Sequence, residues 1–282
     1  MKLSIITINY NDKIGLEKTI KSVIGQTYID FEYIVIDGGS KDGSKEIILE
    51  NEAKITRWIS EPDKGIYNAM NKGILIAKGE FILFINSGDV LFDENVISKT
   101  INQLNPEFDF IYGNLCYNKN DKIFMIATPP KKLSFSYFIF ESLPHPASFI
   151  KRELFEKYFY YNENLKIVSD WEFFIYCICK ENRPYKHIDI IISNFDFTGI
   201  SSSYENYKKI EEESEIVLNN HFNLFKEEIE IIKKYDSKLF QKLVKIEQNK
   251  SKRKIINFLM SMLSIGQKKY TKKFQHIFKQ IN

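Results

Sequence analysis

Apolar runs and helical patterns alternate through the first 90 residues, and this alternation constrains the fold more than any other feature. The runs are rich in Val, Ile and Phe, and they lie at residues 3–8, 31–36, 55–59 and 80–85. Helical patterns separate them at residues 14–25, 43–51 and 65–78. Strands that alternate with helices of this length are typical of βαβ units, and strands buried on both faces are almost continuously apolar. The pattern predicts an α/β fold with a Rossmann-like, open, mostly parallel sheet flanked by helices.

The second half of the chain has a looser pattern. Strands are expected at residues 108–112, 122–127 and 187–195, short helices near 133–140 and 151–157, and a longer helix from Ser169 to about Lys180. From Tyr204 the sequence is helical and charged almost to its end. We expect a first domain of residues 1–205 and a helical C-terminal extension of residues 206–282, with the boundary in the TGISSS stretch at residues 198–203.

Charge is unevenly distributed along the chain. Residues 250–282 contain nine Lys or Arg and no Asp or Glu, so the +3 of the whole chain leaves −6 for residues 1–249. An apolar face follows helical spacing in this basic tail, at Ile255, Phe258, Leu259, Met262 and Leu263. Such a segment can lie on an anionic membrane surface, or its apolar face can pack against the protein or a second subunit. Nucleic-acid binding is not expected, because no recognition motif adjoins the basic run.

Composition and cysteine spacing indicate the compartment. Aromatic residues make up 15% of the chain, which argues against disorder. Three cysteines without scaffold-like spacing fit free thiols in a reducing cytoplasm. No stretch reaches the roughly 18 apolar residues of a membrane span. We expect a cytoplasmic protein, and the tail adds the expectation of a peripheral position at the inner face of the cell membrane.

Polar residues follow each of the four early strands. The clusters are TINYN at residues 7–11, DGGSKDGS at 37–44, SEPDKG at 60–65 and NSGD at 86–89. One such cluster carries little information, because loops and helix caps are polar in any protein. Ligands bind outside the carboxyl ends of the strands in an open parallel sheet, however. Four clusters in succession at one edge therefore indicate a binding site.

Carboxylates dominate these clusters. The sequence has no Gly-rich Walker loop, and no G-x-G-x-x-G follows the first strand, which disfavours a P-loop NTPase and a dinucleotide enzyme. Asp37, Asp63 and Asp89 can accept hydrogen bonds from a base or a ribose, or hold Mg²⁺ or Mn²⁺, which prefer oxygen ligands. Lys64 and Lys72 can meet phosphate oxygens. The chemistry that these residues suggest is nucleotide binding.

Taken in order, these segments resemble the inverting glycosyltransferases of family 2, which have the GT-A fold. The similarity lies in SIITINYND, IVIDGGSKDGS and SEPDKGIYNAMNKGILIAKGEFILFINSGD, and it continues through PHPASFIKRELFE, IVSDWEFFI and FDFTGISSSYENY to about residue 205. Within the family, the likeness is to bacterial enzymes that build surface polysaccharide or lipopolysaccharide. The resemblance implies transfer of a hexosyl or N-acetylhexosaminyl group from a nucleotide-diphosphate donor, often a UDP-sugar, to a hydroxyl of a glycan or lipid-linked glycan. It also implies Mn²⁺ or Mg²⁺ as the cofactor.

The resemblance further implies a role for each matching residue. The donor nucleotide would be bound by residues at the strand ends and in the helix after the third strand: Thr7, Asn9, Tyr10, Asp37, Asp63, Lys64, Tyr67, Asn71, Asn86 and Ser87. Asp89 would hold the metal at the position of the family's DxD-type motif, which here keeps a single acid. One carboxylate, two phosphate oxygens and water can still complete an octahedral ion.

Asp170 stands at the position of the family's catalytic base. It would take the proton of the acceptor hydroxyl in a single in-line displacement. The residues alone admit another interpretation, because Ser169 and Glu172 have the spacing of a capping box and Asp170 would favour the first turn of that helix. The two interpretations are compatible, since a capped helix holds its side chains rigidly.

The acceptor side would comprise His145, Trp171 and Glu172. His145 lies between two prolines and can face the acceptor or the metal, or be a hydrogen-bonded loop histidine. Two alternative functions stay open from the sequence. One is a sugar nucleotidyltransferase, although the first loop lacks a Gly-rich, basic stretch to hold a triphosphate. The other is a non-catalytic sugar-nucleotide-binding protein whose metal motif has decayed.

Overall fold

The computed structural model describes residues 1–119, 122–196 and 206–235, together with residues 253–255, 259, 261 and 262 of the tail. The chain divides into two compact units, residues 1–226 and residues 227–282. The domain boundary expected at residues 198–205 lies outside the described residues.

Four adjacent parallel strands form one half of the sheet in the first unit. They are β1 (Leu3–Asn9), β2 (Glu32–Asp37), β3 (Arg57–Ser60) and β4 (Phe81–Phe84), in the spatial order β3-β2-β1-β4. The helices that connect them are α1 (Lys13–Ile24), α2 (Ser44–Glu50) and α3 (Ile66–Ile76). The register aligns Asn9 with Asp37, and Asp37 with Ser60, so β1, β2 and β3 end level with one another.

Five more strands extend the sheet beyond β4. They are β5 (Val90–Leu91), β6 (Phe110–Lys119), β7 (Lys122–Ala127), β8 (Ser148–Lys151) and β9 (Tyr185–Asp196). The order continues as β8-β6-β9-β5, and β7 pairs with β6. β6 and β9 run in the direction of the first four strands, whereas β5, β7 and β8 run against it. Among the described residues, six of nine strands therefore run one way, which confirms the predicted α/β fold with a mostly parallel sheet.

The remaining α-helices are short except for the last two. They are α4 (Val96–Thr100), α5 (Phe135–Phe140), α6 (Glu153–Lys157), α7 (Ser169–Ile175), α8 (Tyr207–Phe222) and α9 (Lys226–Tyr235). α7 continues into a π-helical segment, Tyr176–Lys180, so the helical stretch ends where the sequence predicts. β5 and β8 were not predicted, because two to four residues are too few to show a period.

Apolar side chains predominate on both faces of β1, β2 and β4. β1, β2 and β4 are buried along their whole length. An aromatic cluster formed by Phe84, His145, Phe155, Tyr161 and Phe173 then joins the end of β4 to α6 and α7. Aromatic pairs of this kind add about 0.5–1.5 kcal/mol each beyond the area that they bury. The aromatic cluster therefore holds α7 close to the carboxyl end of β4.

The tail is described at six residues only. Residues 253–255, 259, 261 and 262 are helical, and the apolar side chains of Ile255, Leu259 and Met262 are exposed. These three belong to the apolar face predicted from the sequence, while residues 263–282 lie outside the described residues. Within the described part of the chain, no helix is both long enough and apolar enough to cross a membrane.

Candidate active site

The polar clusters that follow β1, β2 and β3 meet at one edge of the sheet. Asn9 donates a hydrogen bond from Nδ2 to Oδ1 of Asp37 at 2.8 Å, and Ser60 donates from Oγ to Oδ2 of Asp37 at 2.7 Å. The carboxylate of Asp37 also accepts the amide and the hydroxyl of Ser40. One side chain thus ties three strand ends together.

Asp37 is completely buried. Burial by itself raises the pKa of its carboxyl, but the hydrogen bonds from Ser40, Ser60 and Asn9 outweigh burial and hold the pKa of Asp37 below its usual value. Both oxygens are engaged by the protein. The structure therefore places Asp37 inside the wall of the site, where it holds the loop after β2.

Tyr10, Gly38 and Asp63 come together at the surface of the same edge. The ring of Tyr10 is 66% exposed, and Asp63 is half-buried. A Cβ atom at position 38 would lie 2.3 Å from Oδ2 of Asp63 and 3.1 Å from Cδ2 of Tyr10, so glycine alone permits this approach. An exposed ring beside a carboxylate suits a planar base, which can stack on the ring and donate an N–H group to the carboxylate.

Two further residues that were expected to bind the donor, Thr7 and Asn71, also lie inside the protein. Thr7 is completely buried, where its hydroxyl donates to the carbonyl of Ile85 and contacts the hydroxyl of Tyr33. Asn71 is also buried; it accepts the amide of Tyr161 and donates to its carbonyl. Because their polar atoms are bonded within the protein, Thr7 and Asn71 hold elements together and do not line the site.

Lys64 and Ser87 lie at the surface of the edge. Lys64 is exposed in the connection before α3, and its amide donates to the side chain of Asn68. The hydroxyl of Ser87 is 3.2 Å from both the carboxylate and the carbonyl of Asp12, which caps the N-terminus of α1. The loop after β4 is therefore tied to the first turn of α1.

Asp89 is a buried carboxylate in that loop. Burial raises its pKa to about 8; the amide of Asp196 donates to Oδ1 and lowers the pKa, while the charge of Asp196 raises it. Asp196 is the last residue of β9, so the sheet brings a second acid to the expected metal position. Asp196 is not among the site residues predicted from the sequence, although it is an acid directly after the apolar run at residues 187–195.

The oxygen atoms at this position fit a hard divalent cation. Asp89 and Asp196 supply carboxylates, and Oδ1 of Asn86 is buried with no hydrogen-bond partner among the described residues. In the part of the chain that the structure describes, there is no group of three or more His, Cys, Asp or Glu side chains that could hold a metal ion by itself. Further ligands would have to come from donor phosphates and water, which Mg²⁺ commonly uses.

Asp170 is half-buried in the first turn of α7, and its side chain is hydrogen-bonded to Tyr67 at the start of α3. The hydroxyl of Tyr67 lies 2.9 Å from Oδ1 of Asp170 and 2.5 Å from the carbonyl of Ile167, and it accepts the amide of Ser169. Burial, and then the charge of Asp170, raise the pKa of Tyr67 well above its usual value, so Tyr67 stays a neutral donor. The contact between Tyr67 and Asp170 therefore joins α3 to the expected catalytic base.

The capping box expected at Ser169 and Glu172 is not formed. α7 begins without a side-chain cap. The hydroxyl of Ser169 accepts the amide of Asn162, and Oε1 of Glu172 is 2.9 Å from Nε2 of His221 on α8. The local spacing fails as a predictor here because both side chains find partners outside their own helix.

Trp171 and Glu172, which were expected on the acceptor side, are buried. The indole N–H of Trp171 donates to the carbonyl of Phe138 at 2.8 Å. Oε1 of Glu172 is hydrogen-bonded to His221 on α8. Both side chains therefore anchor α7 within the unit.

His145 is buried in the aromatic cluster and is a hydrogen-bonded loop histidine. Its ring stacks on Phe84 with centroids 4.8 Å apart, and its Nε2 is 2.8 Å from the hydroxyl of Tyr161. Burial lowers the pKa of His145, although the charge of Asp170 opposes this effect. His145 thus belongs to the packing that positions α7.

Comparison with known proteins adds independent information. Residues 4–159 match the sequence model of a family described as Glycosyl transferase family 2. The chain is 32% identical over 210 residues to an uncharacterized glycosyltransferase of Mycobacterium tuberculosis, which covers 72% of this chain and 78% of that protein. It is 30% identical over 135 residues to the UDP-Glc:alpha-D-GlcNAc-diphosphoundecaprenol beta-1,3-glucosyltransferase WfgD of Escherichia coli, covering 48% of this chain and 53% of WfgD.

Solved structures share the fold at lower identity. TarS 1–349 of S. aureus, determined in complex with UDP-GlcNAc, matches with a TM-score of 0.61 and 19% identity over 79% of this chain and 68% of that one. The mannosyltransferase PcManGT of Pyrobaculum calidifontis, determined with GDP-Man and Mn²⁺, matches with a TM-score of 0.54 and 16% identity, covering 69% and 56%.

We expect the substitution His145→Gln to reduce the pH dependence of stability. The pKa of His145 is lower in the folded protein than in the unfolded chain, where it is about 6.5. Below that pH the unfolded chain binds the additional proton, so the free energy of unfolding falls as pH falls. Between pH 7.5 and 5.5, the melting temperature should therefore drop further for the wild type than for the variant. Equal drops would contradict the assignment.

Proposed function

Because this chain belongs to glycosyl transferase family 2 and is therefore a glycosyltransferase, we propose that it moves a hexosyl or N-acetylhexosaminyl group from a UDP-sugar to a glycan hydroxyl with inversion. The hydrogen bond between Tyr67 and Asp170 carries the proposal, because it fixes a half-buried carboxylate beside the donor edge. A UDP-sugar and a lipid-linked acceptor are supported by the likeness to TarS bound to UDP-GlcNAc and to WfgD, whose name specifies both kinds of substrate.

The donor nucleotide would lie across Tyr10 and Gly38. The base would stack on the exposed ring of Tyr10, and Asp63 would accept an N–H group of the base or a ribose hydroxyl. Asn9 and Asp37 would keep the wall of the site in place from within. The diphosphate would then run toward Lys64 and Ser87, which lie at the surface of the same edge.

Asp89, with Asp196 and the side-chain oxygen of Asn86, would hold Mn²⁺ or Mg²⁺. When bound, the cation would neutralise negative charge on the diphosphate. The Mn²⁺ in the structure of the mannosyltransferase with the same fold supports this cofactor.

Asp170 would act as general base in a single displacement. Its carboxylate takes the proton of the acceptor hydroxyl, and that oxygen bonds to the anomeric carbon as the bond from this carbon to the diphosphate oxygen breaks. The electron pair of the broken bond leaves with the diphosphate. Tyr67 would keep the carboxylate oriented, because its hydroxyl oxygen lies 2.9 Å from Oδ1. A well-placed base contributes about 10²- to 10⁴-fold in rate.

The substitution Asp170→Asn should separate this mechanism from non-catalytic donor binding. We expect kcat to fall about 10²- to 10⁴-fold, because an amide cannot accept the proton. Donor affinity should stay within about threefold, since the substitution does not touch the proposed nucleobase-binding site at Tyr10. Transfer can be measured with a radiolabelled UDP-sugar and donor affinity by calorimetry. A wild-type kcat in Asp170→Asn would show that Asp170 is not the base. If the wild-type protein transferred sugar to no glycan acceptor, the alternative of a non-catalytic sugar-nucleotide-binding protein would be favoured.

The substitution Tyr10→Ala should weaken UDP binding roughly 5- to 150-fold, because stacking of one nucleobase on an aromatic ring is worth about 1–3 kcal/mol. Tyr10→Phe keeps the ring and should bind UDP nearly as the wild type does. Thermal shift with UDP, with and without Mn²⁺, measures both variants, and Mn²⁺ should increase the shift in each. If UDP raised the melting temperature of wild type and Tyr10→Ala equally, the proposed nucleobase-binding site at Tyr10 would be wrong.

We also propose that residues 250–282 hold the protein at an anionic membrane surface, on the cytoplasmic side. Replacement of Lys268, Lys269, Lys272 and Lys273 by Gln should weaken binding to phosphatidylserine vesicles by more than tenfold, since each Lys contributes about 1 kcal/mol at such a surface. Replacement of the exposed Lys131 and Lys132 is the control. Unchanged flotation with the vesicles, together with a dimer in light scattering, would assign the tail to a homo-oligomer instead.

A further inference from the structure

Glu213 on α8 accepts hydrogen bonds from three consecutive backbone amides just before α7. Oε1 accepts the amide of Lys166 at 2.8 Å, and Oε2 accepts those of Ile167 at 2.9 Å and Val168 at 3.3 Å. The side chain of Glu213 is buried, so these bonds replace its contact with water. Hydrogen bonds to a charged carboxylate are roughly twice as strong as neutral ones.

The same backbone segment is also held by Tyr67. The hydroxyl oxygen of Tyr67 lies 2.5 Å from the carbonyl oxygen of Ile167, and it accepts a hydrogen bond from the amide of Ser169. Residues 166–169 are therefore bonded to α8 through Glu213 and to α3 through Tyr67. Asp170 follows directly, and Tyr67 contacts its carboxylate as well.

α8 makes a second contact with this part of the chain, after Asp170 and within α7. His221 bonds Glu172 through Nε2 and Oε1, and the His221 ring stacks on Phe159 with an interplanar angle of 6°. The chain is thus anchored to one helix on both sides of the expected base. That helix lies beyond residue 159, where the match to the family model ends.

We propose that Glu213 is a positioning residue that sets the backbone from which Asp170 reaches the acceptor hydroxyl; the inference rests on the proposed function. Glu213 does not touch substrate. It acts through residues 166–168, because a carboxylate with two acceptor oxygens holds all three backbone amides at once. A displacement of about 1 Å at a catalytic group can cost about 10²-fold in rate.

The substitution Glu213→Gln tests this role. Glutamine preserves the volume but replaces one acceptor oxygen by an NH₂ group, which would face a backbone N–H. We expect kcat to fall about 10- to 100-fold, with the KM for the UDP-sugar within about twofold of wild type. Glu212→Gln is the matched control, since Glu212 is the neighbouring residue on the same helix and is 61% exposed. It should leave both kinetic constants unchanged.

A double-mutant cycle separates positioning from a merely structural role. If Glu213 acts through Asp170, Glu213→Gln should lower the residual rate of Asp170→Asn by less than about twofold. A further 10-fold loss in that background, or wild-type kcat for folded Glu213→Gln, would overturn the proposal. Wild-type activity in Asp170→Asn would instead refute the proposed base, and Glu213 would lose its role with it.

Hydrogen exchange in the wild type keeps the inference testable if Glu213→Gln does not fold. The amides of Lys166, Ile167 and Val168 should exchange as slowly as those in the interior of α8, because Glu213 occupies them. Exchange of these amides at the rate of exposed loop residues would overturn the proposal without any variant.

Discussion

Parallel hydrogen bonding of β1 to β2 on one side and to β4 on the other is the constraint on which the rest of the first unit depends. It forces the loops that follow these strands to leave from the same edge of the sheet. Because both faces of these strands are buried, the polar loops that follow them are brought together at that edge. Donor-binding and metal-binding candidates therefore lie together although they come from separate parts of the chain.

Two aspartates at this edge show how environment divides the roles of one residue type. Asp37 is buried, but hydrogen bonds from three neighbouring residues stabilise its charge and lower its pKa. Asp89 is equally enclosed, yet burial and a neighbouring acid dominate, and its pKa is raised. The first carboxylate is satisfied by the protein and shapes the wall. The second carries its charge less readily, because its surroundings stabilise the ionised carboxylate less.

The expected base depends on contacts that no single element provides. Tyr67 reaches Asp170 across 103 residues, and Glu213 holds the segment before α7 from 45 to 47 residues downstream. The aromatic cluster, with Tyr161 at its centre, packs the same helix against β4. α8 therefore contributes to the geometry of the site, although the family match ends well before it.

The sequence by itself determined the α/β architecture and the polar strand ends, because apolar periodicity and loop composition are local properties of the chain. It could not determine where the buried polar groups find their partners. Ser169 and Glu172 have capping-box spacing but bond Asn162 and His221, and Thr7 faces the interior instead of the site. Asp196 meets Asp89 across 107 residues. Only the tertiary structure decided these contacts, because a buried donor or acceptor bonds whichever group the packing of distant segments brings within reach.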